Sequence, residues 1–469
     1  MILSLDLGTS SLETVLFDSA GTELWTHREA YPVRSPAEGC AERDPADLER
    51  ALADSLAALS ETSTVDTREV SVVAVTGVGT GLISLDDDGE PVRPEMLTYM
   101  DNRTDTVGLD PALGDLMYGA SEMFKYVRWL SKTDPEAFAR TETVLMSRDY
   151  VGYLLTGRLR RIDFSFEPGS VERVSEVHDV PESMFPEPHG VTEATGTVSA
   201  ELDAAFTPDT AVVVGPWDGI CAVIGSGLCR EGLAMSVGGT TNIVAACVDA
   251  ETQSESIPAP PGLDIDLYYT SDAVGIAHQW LRQVLSDEVP GGDVTYDYLD
   301  DLARAVDPEN VPVFLPLLHG EQMAGKAHMR GGLLGLTAEQ GLGHIVRALY
   351  EGDAFFLRNR LEPVTEESPV RISEIRVSGG SSRSRTWNQI RADATDTTVA
   401  VAETTGTPAL GAAVLGGVCA GIYETVPASI DGMVSVERRI EPDPDGATRL
   451  DTRYDRYRRL YETVDELYS

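Results

Sequence analysis

Lysine is almost missing from this chain: Lys125, Lys132 and Lys326 are the only three among 36 basic residues, set against 77 acidic ones. The formal charge of −41 leaves no basic stripe for a phosphate backbone, so neither nucleic acid nor an anionic membrane is expected as a partner. Cysteine is scarce too. Cys40, Cys221, Cys229, Cys247 and Cys419 are odd in number and form no C-x-x-C pair, which predicts buried thiols in a reducing compartment. No apolar run is long enough to span a bilayer, and Met1 leads straight into a strand rather than a signal peptide, so a cytoplasmic location is expected. No His/Cys cluster has metal-ligand spacing and there is no G-x-S-x-G elbow.

What remains is a long acidic chain of 469 residues, enough for two domains with large cores. The acid is spread along the chain instead of gathered in a tail, the pattern of a halophilic protein working in a salt-rich cytoplasm. Self-repulsion at this charge weakens the compact state until salt screens it. The melting temperature is therefore expected to rise between low and molar KCl. A flat or falling series would contradict this reading.

The stretch from Ala211 to Asp249 organises the rest. Ala211 to Val214 reads as a buried strand ended by a Gly215-Pro216 turn, and the helix-like run Ile220 to Gly227 follows. Asp218 lies between them, after Trp217. It is either an N-cap or an acid at the carboxyl end of a strand, where open α/β sheets place reacting groups. Gly232 to Ser236 and Ile243 to Val248 read as strands joined by the tight turn Gly238-Gly239-Thr240-Thr241. The N-terminus repeats this pattern: Met1 to Leu7, broken by Asp6, then the turn Gly8-Thr9-Ser10-Ser11, then Leu12 to Asp18. Glycine lets N–H groups crowd round an anion and the hydroxyls add donors. Two such tips facing each other across a cleft would grip a nucleotide's phosphates.

Further along, Thr22 to Val33 predicts a third strand, and Asp44-Pro45 starts a helix to about Ala58. Glu69 to Thr76 reads as a parallel-type strand. The glycine run Gly77 to Gly81 after it misses the dinucleotide spacing and is followed by another strand, Leu82 to Leu85. Asp101 and Arg103 could hold sugar hydroxyls or form a surface ion pair. Helices are expected at Ser121–Ser131 and Asp149–Leu155, and residues 157–200 read as a loop-rich lid or edge. Val274–Leu285 is an expected helix, Val311–Leu318 a strand, Ala338–Leu361 a long helix, Arg371–Val377 a strand and Thr407–Gly421 a helix of small residues. Thr448–Tyr468 reads as an exposed amphipathic terminal helix. Gly320 to Lys326 fits a phosphate loop until Ala327, where a Ser or Thr is required, and no helix follows.

These segments together resemble the FGGY carbohydrate kinases, within the sugar kinase–Hsp70–actin superfamily, over essentially the whole length. The xylulokinase-like members are nearest in spacing. Asp6 to Ser11 looks like the family's first phosphate motif and Gly215-Pro216-Trp217-Asp218 like its catalytic segment. Gly331-x-Leu333-x-Gly335-Leu336 followed by His344 to Glu351 is similar to its C-terminal signature. Gly379 to Ser384 with Trp387, Gln389 and Asp393 looks like the adenosine motif, and Lys125 with Trp129 like part of a helix signature.

The resemblance implies an α/β protein of two ribonuclease H-like (actin-like ATPase) domains with a cleft between them, closing over ATP and a sugar. The first (1–228) would hold the sugar and the base, and the second (229–469) the nucleotide. Asp218 would be the general base and Asp6 would organise Mg²⁺. Thr9, Ser10, Ser11, Gly238, Gly239, Thr240 and Thr241 would hold phosphates, while Gly275, Gln279, Gly380, Ser381 and Ser384 would line the nucleotide site. Gly79, Thr80, Asp101, Arg103 and Trp217 would face the substrate. The chain departs from the family pattern at Glu13, at Val78-Gly79-Thr80, at Gly219 and in the loop Gly320 to Ala324. The leading expectation is a kinase for a ketose such as xylulose. Glycerol, gluconate or another polyol or sugar acid is the alternative substrate, and a nucleotide-binding pseudokinase or regulator the alternative class. A homodimer is allowed for.

Overall fold

Each half of the chain opens with the same three-stranded antiparallel ribbon, and in each the first strand then takes a parallel partner on its other side. The computed structural model describes residues 1–62, 65–108, 118–162, 170–178, 180–202, 206–239, 241–248, 256–258, 262–288, 294–321, 325–367 and 371–469. They fall into two compact units, the first Met1–Gly227 with Pro260–Leu263 and Thr407–Val434, the second Leu228–Ala259, Asp264–Gly406 and Ser435–Ser469. Residues 407–434 thus return to the first unit, where a single cut after residue 228 would leave them in the second.

In the first unit β1 (Ile2–Leu7), β2 (Ser11–Phe17), β3 (Glu23–Ala30), β4 (Val72–Gly77), β5 (Gly196–Thr197) and β6 (Ala211–Trp217) form a sheet ordered β5-β6-β4-β1-β2-β3. β1 runs antiparallel to β2 and parallel to β4, and β4 runs parallel to β6. β4, VVAVTG, is buried at every residue, as a parallel strand covered on both faces must be. Edge strand β3 alternates half-buried and exposed residues. Gly77 is required by close packing, since a Cβ there would lie 2.5 Å from that of Leu7.

In the second unit β7 (Leu233–Gly238), β8 (Asn242–Val248), β9 (Ser256–Pro258), β10 (Asp266–Asp272), β11 (Glu374–Gly379), β12 (Thr398–Ala402) and β13 (Val436–Ile440) are ordered β9-β10-β8-β7-β11-β12-β13. The run β10-β8-β7-β11-β12 repeats β3-β2-β1-β4-β6 strand for strand.

Several expected elements change on folding. Gly215-Pro216 makes no turn: β6 runs through both residues to Trp217, with a register shift after Val214. The Pro216 carbonyl accepts from Thr76 Oγ1 at 2.8 Å, so this bulge is hydrogen-bonded. The terminal helix Pro444–Tyr468 is amphipathic as expected but docked: Leu450, Tyr454, Tyr457 and Val464 lie in the second unit's core while its other face is exposed. Only Cys221 and Cys247 are buried; Cys40, Cys229 and Cys419 are half-buried, and none of the five is in a disulfide. The predicted strand Val311–Leu318 shrinks to Val313–Leu315. Residues 157–200 include a helix, Ser170–His178, and Val174, Met184 and Phe185 pack with Met123, Phe124 and Trp129, so that part is core as well as edge.

Candidate active site

In the first unit the tip between β1 and β2 is held from below. Arg43 Nη2 donates to the carbonyls of Thr9 (2.7 Å) and Gly8 (3.4 Å), and Tyr31 Oη donates to Gly8 O at 2.7 Å. Arg43 is buried, and its guanidinium lies 4.0 Å from the Tyr31 ring centre. With these carbonyls turned inward, the tip's outer face loses two negative dipole ends, which is the condition for an anion to approach. The sequence reading missed Arg43 and Tyr31. Their signal is a basic residue and a tyrosine in the otherwise polar segment after β3.

Asp6 sits near the end of β1, and its Oδ1 is buried with no hydrogen-bond partner. Burial, then the charges of Asp218 and Glu13, push its carboxyl up to about 8, against a weaker lowering by Arg28. Asp218 follows β6 directly. It is the first residue of the helix Asp218–Gly225 and not its cap, which is Trp217. Its Oδ1 accepts from Gly219 N at 2.8 Å. Burial raises its pKa above the usual carboxylate range, opposed by that N–H and by the Arg148 charge. The fold therefore brings the charges of two half-buried acids, 212 positions apart in sequence, within reach of each other.

The proposed sugar-side residues fare differently. The Gly79 carbonyl accepts from Arg148 Nη1 at 2.8 Å, while a Cβ on Gly79 would meet nothing within 4 Å. Thr80 is buried and Trp217 half-buried. Asp101 is spent on structure. Its oxygens accept from Ala41 N at 2.8 Å and from Arg103 Nε and Nη2, and Arg103 continues to Glu42 at 2.6 Å. A buried carboxylate must be satisfied in this way, so Asp101 supports Arg103 and is not an open ligand.

The second unit holds a cavity of about 450 Å³. Gly238, Gly239, Gly275, Gln279, Gly380, Ser381 and Ser384 all line it, gathered from three separate segments. Thr241 O accepts from Gly239 N at 3.0 Å, and Thr240 lies outside the described residues. The wall also holds residues not foreseen there: Asn242, His278, Tyr296, Asp297, Asp300, Tyr350, Asp353 and Arg391, with Arg383 and Trp387 of the predicted motif. Tyr350 stacks on Trp387 at 4.4 Å and His278 meets Trp387 edge-on at 4.7 Å. Asp353 Oδ2 accepts from Trp387 Nε1 and Arg391 Nη2, both at 2.9 Å. Burial, with Arg391 and Arg282, lowers the His278 pKa to about 4, so its ring is neutral. Tyr296, Asp297 and Asp300 come from a helix, Tyr296–Ala305, whose pattern was not recognised; Asp300 accepts from Ser384 and Thr386 hydroxyls.

Two further motif residues face away from the cavity. Gln389 donates to Asp393 at 2.8 Å and to Glu441 O at 3.0 Å, and Asp393 accepts from Asp443 N. Lys326, dismissed as a phosphate-loop lysine, pairs with Asp465 at 2.6 Å.

Gly380 tests the cavity directly. A Cβ there meets nothing within 4 Å, and its backbone is not in the left-handed region. Gly380→Leu should leave the melting temperature nearly unchanged but weaken nucleotide binding at least about tenfold, since a side chain then fills ligand space. Titration calorimetry with ATP decides; wild-type affinity would remove Gly380 from the nucleotide site.

Residues 1–169 match the FGGY family of carbohydrate kinases, N-terminal domain, and residues 234–420 match its C-terminal domain. A xylulose kinase of Staphylococcus epidermidis is 23% identical over 499 aligned residues, covering 100% of this chain and 97% of that protein. Two solved structures from Lactobacillus acidophilus superpose with a TM-score of 0.84. One is a gluconate kinase, 20% identical, covering 100% of this chain and 98% of that one. The other is a ligand-bound xylulose kinase, 19% identical, covering 100% and 99%.

Proposed function

The chain belongs to the FGGY family of carbohydrate kinases, and from that premise we propose that it phosphorylates a ketose, xylulose first among candidates, with Asp218 as general base. As a family member it is a phosphotransferase that passes a phosphoryl group from ATP to a sugar hydroxyl. The observation that carries the residue assignment is the half-buried Asp6–Asp218 pair, in which desolvation and then the charge of Asp218 push Asp6 up to about 8. A base accepts a proton best when its pKa approaches the working pH. Burial moves Asp218 in that direction.

Among the described residues no group of three or more His, Cys, Asp or Glu side chains is placed to hold a metal. The buried, unpartnered Oδ1 of Asp6 fits a single protein contact to Mg²⁺, directly or through water, the remaining ligands being water and phosphate oxygens. Mg²⁺, when bound, would neutralise charge on the transferring phosphoryl group. The chain's own residues do the rest. The Thr9–Ser11 tip and the glycines at 238 and 239 hold phosphates, the second-unit cavity takes the nucleoside, and Asp218 takes the hydroxyl proton. Phosphoryl transfer needs such positioning more than covalent help.

ADP release over a panel of pentuloses, hexuloses, gluconate and glycerol tests the substrate assignment. Xylulose is expected to lead, and silence over the whole panel would favour a regulator. Asp6→Asn supplies a readout besides activity. A carboxyl raised from about 4 to about 8 binds more protons folded than unfolded, so its contribution to stability is lost as pH rises through that window. Asn cannot ionise. The variant should melt higher than wild type at pH 8.5 without Mg²⁺ and no higher at pH 4, and should lose the Mg²⁺-dependent rise in melting temperature. A variant that keeps that rise would remove Asp6 from the metal site.

A further inference from the structure

Arg148 is among the largest fully buried side chains of the protein, at 0% exposure, and no step of the proposed transfer assigns it a role. It lies on the helix Ser147–Thr156 in the first unit. Its hydrogen bonds go to two uncharged groups, the Gly79 carbonyl (2.8 Å) and Met146 Sδ (3.1 Å), and its Nε is buried without a partner. A guanidinium carries five donors and does not deprotonate in proteins. Burying one costs several kcal/mol unless the charge is compensated. A methionine or leucine would fill the same volume without that cost, so packing alone does not explain the residue.

The charges that reach it come from the neighbouring Asp149 and from Asp218, with buried Cys221 on the Asp218 helix. Among the described residues Arg148 is the side-chain charge that offsets the burial of Asp218, while the charge of Asp218 bears on Asp6 of β1 with the same sign. Arg148 therefore touches one end of the sugar side, at Gly79, and its charge reaches the base at the other.

We propose that Arg148 is a positioning residue for the transfer reaction: its guanidinium anchors the Gly79 loop and supplies the counter-charge of the Asp218 carboxylate. The inference rests on Asp218 being the base. The two roles separate by substitution. Lysine keeps the charge but not the planar fork, and methionine keeps neither.

The experiment compares Arg148→Met, Arg148→Lys and Asp218→Asn in the full chain at saturating ATP, using whichever panel sugar turns over. Arg148→Met should lower kcat at least about tenfold, or about 1.4 kcal/mol, and raise KM for the sugar. Arg148→Lys should recover most of kcat while KM stays raised. Should the Met variant not fold, the Lys variant decides alone: near-wild-type kcat with raised KM supports the proposal. Unchanged KM, or loss of kcat to the Asp218→Asn level at wild-type melting temperature, overturns it. An active Asp218→Asn enzyme would instead refute the base assignment. Inactive Asp218→Asn beside wild-type behaviour of the folded Arg148 variants would refute this inference only.

Discussion

Asp218→Asn is expected to lower kcat at least about a hundredfold while leaving ATP affinity unchanged, because removal of a positioned general base costs about 10²–10⁴-fold. Asn keeps the shape and can still accept from Gly219 N, so the helix start at 218 survives the change. Asp218 is not among the residues that line the cavity proposed for the nucleoside. In the wild type, kcat/KM should fall as pH drops through the Asp218 pKa, and because burial raises that value the fall should begin above the ordinary carboxylate range near 4. The residual activity of the Asn variant should lack this acid limb. Steady-state kinetics between pH 5 and 9, with circular dichroism to establish folding, measure both. An Asn variant within a few fold of wild type would end the assignment.

Gly411→Ala is the second large effect, this time on stability. The helix Thr407–Cys419 crosses the Asp218–Gly225 helix so closely that a Cβ on Gly411 would lie 1.8 Å from the Cys221 carbonyl oxygen. On the other side, a Cβ on Gly225 would lie 2.0 Å from the Thr407 oxygen. Helix propensity favours alanine by about 1 kcal/mol, but both contacts are backbone to backbone and no rotamer relieves them. Overpacking wins, with a net loss of about 3 kcal/mol, or about 6–12 °C in melting temperature for a domain of this size. Cys221 is three residues beyond Asp218, so parting the helices also shifts the base, and kcat should fall with stability. Gly341→Ala is the control, because its Cβ meets nothing within 4 Å; it should change stability by less than about 0.5 kcal/mol. Thermal unfolding of the pair distinguishes close approach from a general intolerance of glycine replacement.

The two halves were legible because they are local. An apolar run, a glycine–hydroxyl turn and an apolar return need only neighbours in sequence, and β1–β2 and β7–β8 form where those runs predict. The Asp44 cap, its carboxylate accepting from Ala46 N, is local in the same way. The Tyr296–Ala305 helix was not legible: its Thr295 cap follows residues of no helical pattern, and its apolar face consists of little more than Leu299 and Ala303.

Composition and motif spacing determined the acidic surface, the α/β class and the family, and they singled out Asp6 and Asp218 as the acids to test. They could not say what a side chain would face. Only the tertiary structure turned Gly215-Pro216 from a turn into a bulged strand and buried Tyr454 and Tyr457 of the terminal helix. It also returned residues 407–434 to the first unit, spent Asp101 on Arg103, and brought Arg148 beside Gly79 and the charge of Asp218. The physical reason is common to all five. Each depends on desolvation or on contacts between residues far apart in sequence, Ala41 N in the case of Asp101, and those energies exist only once the chain has closed on itself.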